Sequence, residues 1–499
     1  MNERTPLLVS HEANSSSPRH EPSYILHCKS IWKTWKIPIL CYIFVLLVDT
    51  AEAMRSTPKT RLFEMILCRR YYAALDPHTD SPRKTQPDIL EHLCKVPDVQ
   101  SAVVTTKLWL KIGESLFALI LAIPFGKLSN TRGRKFVLAI GITGQILAEN
   151  WIVGVCYFDK DFPFRLVYAS SIFKSLGGGE MVLSAIVHAT LADVVSEEKR
   201  AQAFFHMASV TLLSEVIAPP LGSILMEAQG VYAPLIYGFP LQVLSIAVLF
   251  MLPRSVDVAK DSNDAQSDIG GIANLPSEQD AKPAGLKTIA RKVSRKLMTS
   301  WMLVRNNGNV LVVAASFLAT FLGKDTLDFL VQYVSKRFSW SLAKANYLVS
   351  FRAITNLVLF LFIHPTISKT LTNRHQLPSA KVDLWIARGS SLFGVIGPVL
   401  LGLSPTPVLM VLSLILFTLS LGYPHAIQSY GTSLVRPIDI TPFYSFLAMV
   451  RIAGTLVASP LIAGTFNLGL RIGGAGLGMP FYAAGLLFGI GALGAWSLG

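Results

Sequence analysis

The stretch GKLSNTRGRK, residues 126–135, lies between two apolar runs, SLFALILAIPF before it and FVLAIGITGQILA after it. It carries two glycines and four cations, which are Lys127, Arg132, Arg134 and Lys135. Glycine permits a tight turn because it lacks a Cβ, and short loops rich in Lys and Arg stay on the cytoplasmic side of a membrane. The stretch therefore predicts a cytoplasmic turn that joins two membrane-spanning helices.

The composition of the whole chain agrees with a membrane protein. Of its 499 residues, 51% are hydrophobic and 15% are charged, whereas a soluble protein carries about 25% charged residues. The formal net charge of +14 is also compatible with a nucleic-acid-binding protein. The cations lie mainly between the apolar segments, however, where membrane orientation explains them better. We therefore expect a lipid bilayer as partner and no nucleic acid.

Apolar segments long enough to cross a membrane, about 20 residues each, recur along the chain. We predict an all-α membrane protein with twelve transmembrane helices, called spans 1 to 12 below. They are residues 35–54, 104–125, 136–157, 164–190, 203–226, 231–252, 309–332, 343–364, 383–403, 406–428, 441–466 and 478–499.

Basic residues distinguish two kinds of loop. The N-terminal tail and the loops after spans 2, 4, 6 and 8 carry Lys and Arg, whereas the short loops after spans 5 and 9 carry none. The positive-inside rule places the basic segments in the cytoplasm. The long loop after span 6 divides the chain into two halves of six spans, as in transporters that bind substrate between their halves. The predicted domains are a cytoplasmic tail (1–34), an N-terminal half (35–252, with an extracytoplasmic loop at 55–103), a cytoplasmic linker (253–308) and a C-terminal half (309–499).

The second part of the linker, GLKTIARKVSRKL, predicts a helix. Leu286, Ile289, Val293 and Leu297 share one face, and Lys and Arg occupy most of the remainder. This pattern indicates an amphipathic basic helix on the cytoplasmic membrane surface. A solvated linker helix is an equally good interpretation.

The five cysteines show no CxxC spacing, so the sequence predicts no metal site. Cys68 and Cys94 both lie in the predicted extracytoplasmic loop, where an oxidising environment favours a disulfide that would restrain the loop. Two free cysteines are the alternative.

Ionisable side chains inside membrane spans usually mark substrate or proton pathways. The candidates are Asp49, Glu52, Lys174, Glu215, Asp325, Asp328, Arg352 and Arg451. A carboxylate in a low-dielectric environment can load and release protons near neutral pH. Glu215, midway along span 5, is the first candidate for a proton carrier, and a permanent pair with Lys174 or an arginine is the alternative. Lys174 is either an anchor for a substrate anion or a partner for a span 1 carboxylate.

The two arginines of the C-terminal half have more than one possible role. Arg352 and Arg451 could serve as counter-charges for Asp325 and Asp328, or for an anionic substrate. A structural ion pair is the common outcome for any one such residue, but we expect the whole set to line one cavity.

The turn pattern Gly126-x-x-x-Asn130-x-x-Gly133-Arg134-Lys135 resembles the signature G-x-x-x-D-x-x-G-R-[RK] of the major facilitator superfamily. This resemblance implies two six-helix halves that work by alternating access. In that family the aspartate takes part in a charge network that stabilises the outward-facing state. Asn130 can form hydrogen bonds but no ion pair, so the resemblance implies a weaker cytoplasmic latch. We expect Asn130→Asp to shift the population outward, and unchanged accessibility of cytoplasmic cysteine probes would contradict this.

Span 5 contains SEVIAPPLGS at residues 214–223, which is similar to the motif G-x-x-x-G-P-x-x-G-G of proton-driven exporters in this superfamily. Ala218 and Ser223 replace two of the glycines, and this weakens the implication of export. Pro219, Pro220 and Gly222 are present and imply a kinked, closely packed helix.

A narrower resemblance lies in RLFEMILCRRYY, LCKVPDVQ and FLVQYVSKRFSWSLAKANYL. These segments resemble fungal members of the superfamily that are distantly similar to the proton-coupled folate transporter group and to secondary-metabolite efflux pumps. The folate group uses a glutamate in span 5 for proton transfer, and Glu215 is the candidate counterpart. Lys174, before Gly177, resembles a superfamily arginine that precedes a glycine in span 4.

We therefore expect a secondary active transporter that moves a small organic molecule. Proton-driven efflux of a secondary metabolite or drug-like compound is the first interpretation. Proton-coupled uptake of an organic anion is one alternative, and a non-transporting membrane receptor or scaffold is another. The sequence shows no phosphate-binding loop, nucleophile elbow or metal-ligand spacing, so we expect neither an enzyme nor a cofactor.

The expected partners are a small-molecule substrate and protons, and the expected assembly is a monomer. Residues 3–8, ERTPLL, match the acidic dileucine sorting pattern. The expected locations are therefore the vacuolar membrane and the plasma membrane.

Overall fold

The computed structural model describes residues 23–75, 90–195, 197–252, 307–436 and 440–498, with the backbone alone at 23–34, 197–201 and some single positions that include Asn130. Every regular element in these ranges is helical. The sorting pattern and the predicted linker helix lie outside the described residues. The predicted effect of Asn130 rests on a side chain that is likewise outside the description.

Seven α-helices form the N-terminal half, which we take as the described residues up to 252. They are α1 (Ser23–Leu75), α2 (Pro97–Arg132), α3 (Arg134–Tyr157), α4 (Ser170–Lys174), α5 (Gly179–Val194), α6 (Glu197–Gln229) and α7 (Tyr232–Met251). Short 3-10 turns at Glu91–Cys94, Phe164–Ala169 and Leu176–Gly178 join some of them.

Nine α-helices form the C-terminal half, which begins at residue 307. They are α8 (Gly308–Lys324), α9 (Leu330–Phe338), α10 (Leu342–Val358), α11 (His364–His375), α12 (Ser379–Leu403), α13 (Pro407–Leu419), α14 (Tyr423–Ser433), α15 (Ile440–Ile472) and α16 (Met479–Ser497). A 3-10 turn at Asp325–Phe329 joins α8 to α9, and a π-helical turn at Leu359–Ile363 joins α10 to α11.

Ten helical segments of the described chain are long and apolar enough to cross a membrane. The predicted spans 2 and 4 do not meet these criteria. Span 2 corresponds to α2, which carries several charges, and span 4 is interrupted at Gly177, Gly178 and Gly179. All three glycines have φ between 78° and 89°, a region that other L-residues rarely adopt. The count of twelve spans therefore stays a prediction.

The first helix is longer than the sequence predicts. Residues 55–75 continue α1, so this part of the predicted extracytoplasmic loop is helical, and its position relative to the membrane stays a prediction. Charged residues made this segment look unlike a membrane helix. The protein instead satisfies them internally: Arg55 is only 1% exposed, and its guanidinium donates to Gln242 Oε1 at 2.7 Å and to the Leu235 carbonyl at 3.1 Å.

The two halves meet along two pairs of helices, because α6 lies along α10 and α2 lies along α15. Val104 of α2 is completely buried within the hydrophobic core of the C-terminal half. Some intramembrane charges on these helices, such as Glu215 and Lys111, consequently face the opposite half, and this arrangement creates the candidate site.

Candidate functional site

Glu215 of α6 and Arg352 of α10 form an ion pair between the two halves. Arg352 Nη2 lies 3.0 Å from Glu215 Oε2, and both side chains remain partly exposed. The structure thus shows Glu215 paired with an arginine, one of the two interpretations of this residue. Such a pair is sensitive to protonation, since a proton on the carboxylate removes its charge. Whether Glu215 carries protons stays a prediction.

The backbone of α6 is bonded to α10 beside this pair. A proline lacks an N–H, so the carbonyl four residues before it loses its helical donor. Pro219 has this effect on the carbonyl of Glu215, to which Ser350 Oγ of α10 donates at 3.2 Å. One turn earlier on α10, Asn346 Nδ2 donates to the Pro219 carbonyl at 2.8 Å. The proline motif therefore supplies acceptors to the opposite half.

Asn346 also links a third helix and completes its hydrogen bonds. Its Nδ2 lies 3.0 Å from Ser223 Oγ, and its Oδ1 accepts a bond of 2.7 Å from Thr57 Oγ1 of α1. The side chain is 2% exposed. A buried amide with all these partners fixes the relative positions of α1, α6 and α10.

Gly222 allows α6 to approach α1. A Cβ at this position would lie 2.3 Å from the backbone oxygen of Met54, a distance that no real Cβ contact shows. The predicted close packing is therefore explained by the absence of a side chain. The helix runs unbroken through Pro219 and Pro220.

Three carboxylates and two lysines form a second cluster within the N-terminal half, here called the acid–lysine network. Lys59 Nζ lies 2.8 Å from Glu149 and 3.2 Å from Glu52, and Lys174 Nζ lies 3.2 Å from Glu114 and 3.8 Å from Glu52. Lys174 is thus a partner for a carboxylate of α1, one of its two predicted roles. Because the network has one more carboxylate than lysine, it carries a formal excess of negative charge.

Several members of this network were not among the predicted site residues. Glu114 and Glu149 lie inside predicted spans 2 and 3, so a complete list of charges within spans would have found them. Lys59 lies in the segment predicted as a loop. The predicted Asp49 is half-buried on α1 and within electrostatic range of Glu52, Glu180 and Glu215.

Asp325 and Asp328 face the N-terminal half. Lys111 Nζ of α2 lies 2.6 Å from Asp328 Oδ2 and 3.6 Å from Asp325 Oδ2. The cation that pairs with them is thus Lys111, whereas Arg352, one of the two predicted counter-charges, pairs with Glu215 and is within electrostatic range of Asp328. The physical reason is that the 3-10 turn after α8 carries these carboxylates toward α2.

Arg451 of α15 contacts an aromatic ring. Its guanidinium carbon lies 5.0 Å from the ring centroid of Phe321, within cation–π range. Phe321 precedes Lys324 by three residues on α8, so the two share a helical face. The part of the chain that the structure describes places no carboxylate within 4 Å of the charged nitrogens of Lys324 or Arg451.

The end of the molecule that contains Cys68 and Cys94, here called the disulfide end, holds further contacts between the halves. The two cysteines are joined by a disulfide, with their Cα atoms 5.4 Å apart. Glu91 Oε1 accepts a bond of 2.7 Å from the Leu342 amide at the start of α10. Lys336 Nζ donates to the Lys95 carbonyl. The disulfide-linked segment thus contacts the α9–α10 connection.

The opposite end contains the turn between α2 and α3 and is called the turn end. Gly133 has φ 92°, so a residue with a Cβ would be strained there, whereas Gly126 lies within α2. Arg134 forms an ion pair of 2.6 Å with Asp193 at the end of α5. Lys135 Nζ donates to the carbonyls of Phe250 and Leu252 at the end of α7. These bonds hold the turn within its own half.

The sequence model of the Major Facilitator Superfamily matches residues 104–438. The chain belongs to this superfamily. Among curated proteins, it is 32% identical over 459 residues to the MFS efflux pump atnC of Emericella nidulans, covering 91% of this chain and 86% of that one. It is 28% identical over 445 residues to the efflux pump ustT of Aspergillus flavus, covering 88% and 83%.

A solved structure extends the comparison to the fold. The D-xylose–proton symporter superposes with a TM-score of 0.60 at 14% identity, over 93% of this chain and 97% of that one. The all-helical fold of this superfamily is thereby confirmed. The protein is a multi-pass membrane transporter that moves a small molecule, and it is not an enzyme.

The described residues contain no group of three His, Cys, Asp or Glu side chains placed to hold a metal ion. In the part of the chain that the structure describes, ion pairs join the two halves of this major facilitator protein. Glu215–Arg352 links α6 to α10, and Lys111–Asp328 links α2 to the turn after α8.

Proposed function

We propose that this transporter exports a small organic molecule, such as a secondary metabolite or drug-like compound, in exchange for protons. The Glu215–Arg352 pair carries the proposal, because one proton can break this contact between the halves. The efflux pumps named among its relatives support export rather than uptake.

The positions of the other contacts suggest which state of the cycle the structure represents. Lys111–Asp328, Thr57–Asn346 and Glu91–Leu342 join the halves toward the disulfide end. The predicted orientation makes the disulfide end extracytoplasmic and the turn end cytoplasmic. In this proposal the structure is closed to the outside, and substrate enters between the halves from the cytoplasm.

Proton exchange on Glu215 then couples to this closure. The ionised carboxylate attracts Arg352 and holds α6 against α10, together with the bond from Ser350 to the Glu215 carbonyl. A proton taken up from the outside keeps the pair broken while the outer side is open and substrate leaves. After substrate has left, the protonated transporter closes on the outside and opens to the cytoplasm. Release of the proton there restores the pair, which holds the outer side closed for the next substrate and completes an exchange by alternating access.

The proposed assembly and membrane location rest on the sequence. A monomer in the plasma membrane or the vacuolar membrane would move its substrate out of the cytoplasm in either case. The acidic dileucine pattern at residues 3–8 supports the vacuolar membrane, and the efflux pumps among its relatives are compatible with both.

Transport into inside-out vesicles tests the proposal. Vesicles with an acidic interior are given fluorescein or rhodamine 6G, an anionic and a cationic dye. We expect dye accumulation that collapses with a protonophore, and we expect Glu215→Gln to abolish the effect of the gradient. Glu227→Gln is the matched control, since Glu227 is an exposed residue of the same helix. Gradient-driven accumulation by the Glu215→Gln variant would contradict the proposal.

A further inference from the structure

The space between the halves contains Lys324 and Arg451, two cations that form no ion pair within 4 Å among the described residues. Two carboxylates and two cations of this region already form ion pairs: Glu215 pairs with Arg352, and Asp328 pairs with Lys111. Lys324 and Arg451 are left over. Neither has a carboxylate within 4 Å of its charged nitrogens in the described chain, and Arg451 has the ring of Phe321 as a neighbour instead.

These two cations lie close together. Arg451 packs over Phe321, which is one helical turn from Lys324 on α8. Gly454 lies one turn along α15 from Arg451 and faces Leu318 and Leu322 of α8. The helices α15 and α8 are therefore in direct contact there. Lys324 is within electrostatic range of Arg451 and Arg352, and also of the carboxylates of Glu215 and Asp325. Two like charges so placed repel each other unless an anion lies between them.

Neither side chain is fully covered by protein. Lys324 is half-buried and Arg451 is exposed, although each lies within a membrane span. An intramembrane cation is costly when it faces lipid, and such residues face a cavity or a partner. The charge on the N-terminal half has the opposite sign, because the acid–lysine network has excess negative charge.

Apolar and hydrogen-bonding groups adjoin the two cations. Phe321 offers its ring, and His425 of α14 lies within electrostatic range of Lys324 and Arg451 while contacting the ring of Phe360 at 5.4 Å. A guanidinium binds a carboxylate through two parallel N–H bonds, and an ammonium adds a further donor. The arrangement fits a carboxylate attached to an aromatic or otherwise apolar body.

We propose that Lys324 and Arg451 bind the anionic group of the substrate, so that this transporter carries an organic anion with an apolar body. The inference rests on the proposed export function, of which it names the substrate class. The anion would lie against the C-terminal half, with its apolar body against Phe321 and Phe360.

Binding to the full-length protein in phosphatidylcholine nanodiscs tests this inference. Three probes of one ring size are compared by equilibrium dialysis: 1-naphthoate, its neutral amide and the cationic 1-naphthylmethylamine. We expect naphthoate to bind about tenfold more tightly than the amide, a difference of about 1.4 kcal/mol. The amine should bind more weakly still.

Substitution of the two cations gives the specific readout. Lys324→Gln and Arg451→Gln should each lower the affinity for naphthoate about tenfold without changing that for the amide. The charge-preserving variants Lys324→Arg and Arg451→Lys should retain the preference for the anion. Lys344→Gln and Arg471→Gln are matched controls at exposed positions on α10 and α15 and should bind as the wild type does.

The proposal is overturned if naphthoate and its amide bind equally, if naphthoate shows no binding at millimolar concentration, or if both Gln variants bind naphthoate normally. These outcomes are independent of the export test. Gradient-driven transport of rhodamine 6G that depends on Glu215, without naphthoate binding, would refute the anion site and leave the export function intact. Naphthoate binding that needs Lys324, with no effect of Glu215→Gln on transport, would refute only the proton role.

Discussion

Ser350 Oγ of α10 donates a hydrogen bond to the carbonyl of Glu215 in α6, the carbonyl that Pro219 deprives of its helical donor. A residue of one half thus satisfies a backbone acceptor of the other, directly beside the Glu215–Arg352 ion pair. Movement of α6 away from α10 would leave this acceptor to water or to no partner. Because of Pro219, contact between α6 and α10 gains a hydrogen bond that is lost when the helices separate. A regular helix would offer no free carbonyl for such a bond.

Replacement of Ser350 should weaken closure at the disulfide end. Ser350→Ala removes one hydrogen bond of about 1 kcal/mol, which corresponds to about a fivefold change in the closed-to-open ratio. Distances between spin labels at Lys160 and Lys344, exposed residues on opposite halves, measure this ratio. Ser209→Ala is the control, because Ser209 Oγ bonds only the Phe205 carbonyl of its own helix in the described structure. An unchanged distance distribution for Ser350→Ala would show that the bond has no part in closure.

Removal of Lys111 should also favour opening at the disulfide end. Lys111→Gln leaves Asp325 and Asp328 without their cation, and the two carboxylates then repel each other. Because Lys111 is 32% and Asp328 56% exposed, we expect a shift of no more than about 1 kcal/mol.

The same spin-label distances measure the effect of Lys111, with Lys369→Gln as an exposed control. Asp328→Asn in the Lys111→Gln background should restore part of the closure. A double mutant that opens further than the single one would argue against the ion pair as the cause.

A methyl group at Gly222 should be poorly tolerated. The added Cβ of Gly222→Ala would lie 2.3 Å from the Met54 oxygen, so α1 and α6 must separate. Overpacking of this kind costs about 1–3 kcal/mol, and we expect less monodisperse protein and a lower thermal unfolding temperature. Gly154→Ala is the control, since a Cβ there meets no atom within 4 Å. Equal stability of the two variants would mean that α6 can shift without cost.

The disulfide should stabilise the segment that carries Glu91. Cys68→Ser together with Cys94→Ser removes a cross-link that closes a loop of 27 residues, counted from the separation of 26, and should cost about 3 kcal/mol. Thermal unfolding measures this loss, and the Glu91–Leu342 contact should weaken with it.

Mass spectrometry without reduction checks the bond itself. A peptide pair linked through Cys68 and Cys94 is expected, whereas the free Cys41 and Cys156 should react with an alkylating reagent once the protein is unfolded. Alkylation of Cys68 and Cys94 in the unfolded but unreduced protein would disprove the disulfide.

Much of the architecture could be predicted from local sequence. A helix inside a bilayer needs about 20 apolar residues because its backbone must satisfy its own hydrogen bonds there, and such segments are visible without a structure. The turn at Gly133 was equally readable, since its φ of 92° requires glycine. The ionisable residues inside the membrane spans could also be found from the sequence. The exceptions lie where a helix was not predicted, as at Lys59.

The pairing of those charges was not readable, because it depends on which helices face each other. Only the packing of α2 against the opposite half assigned Lys111 to Asp325 and Asp328, and only that of α6 against α10 assigned Arg352 to Glu215. The length of α1 also depends on tertiary contacts. Arg55 can be buried in this helix only because Gln242 and the Leu235 carbonyl accept its hydrogen bonds. Local sequence thus determined where helices and turns form, whereas the energy of each buried charge was decided by partners brought together from distant parts of the chain.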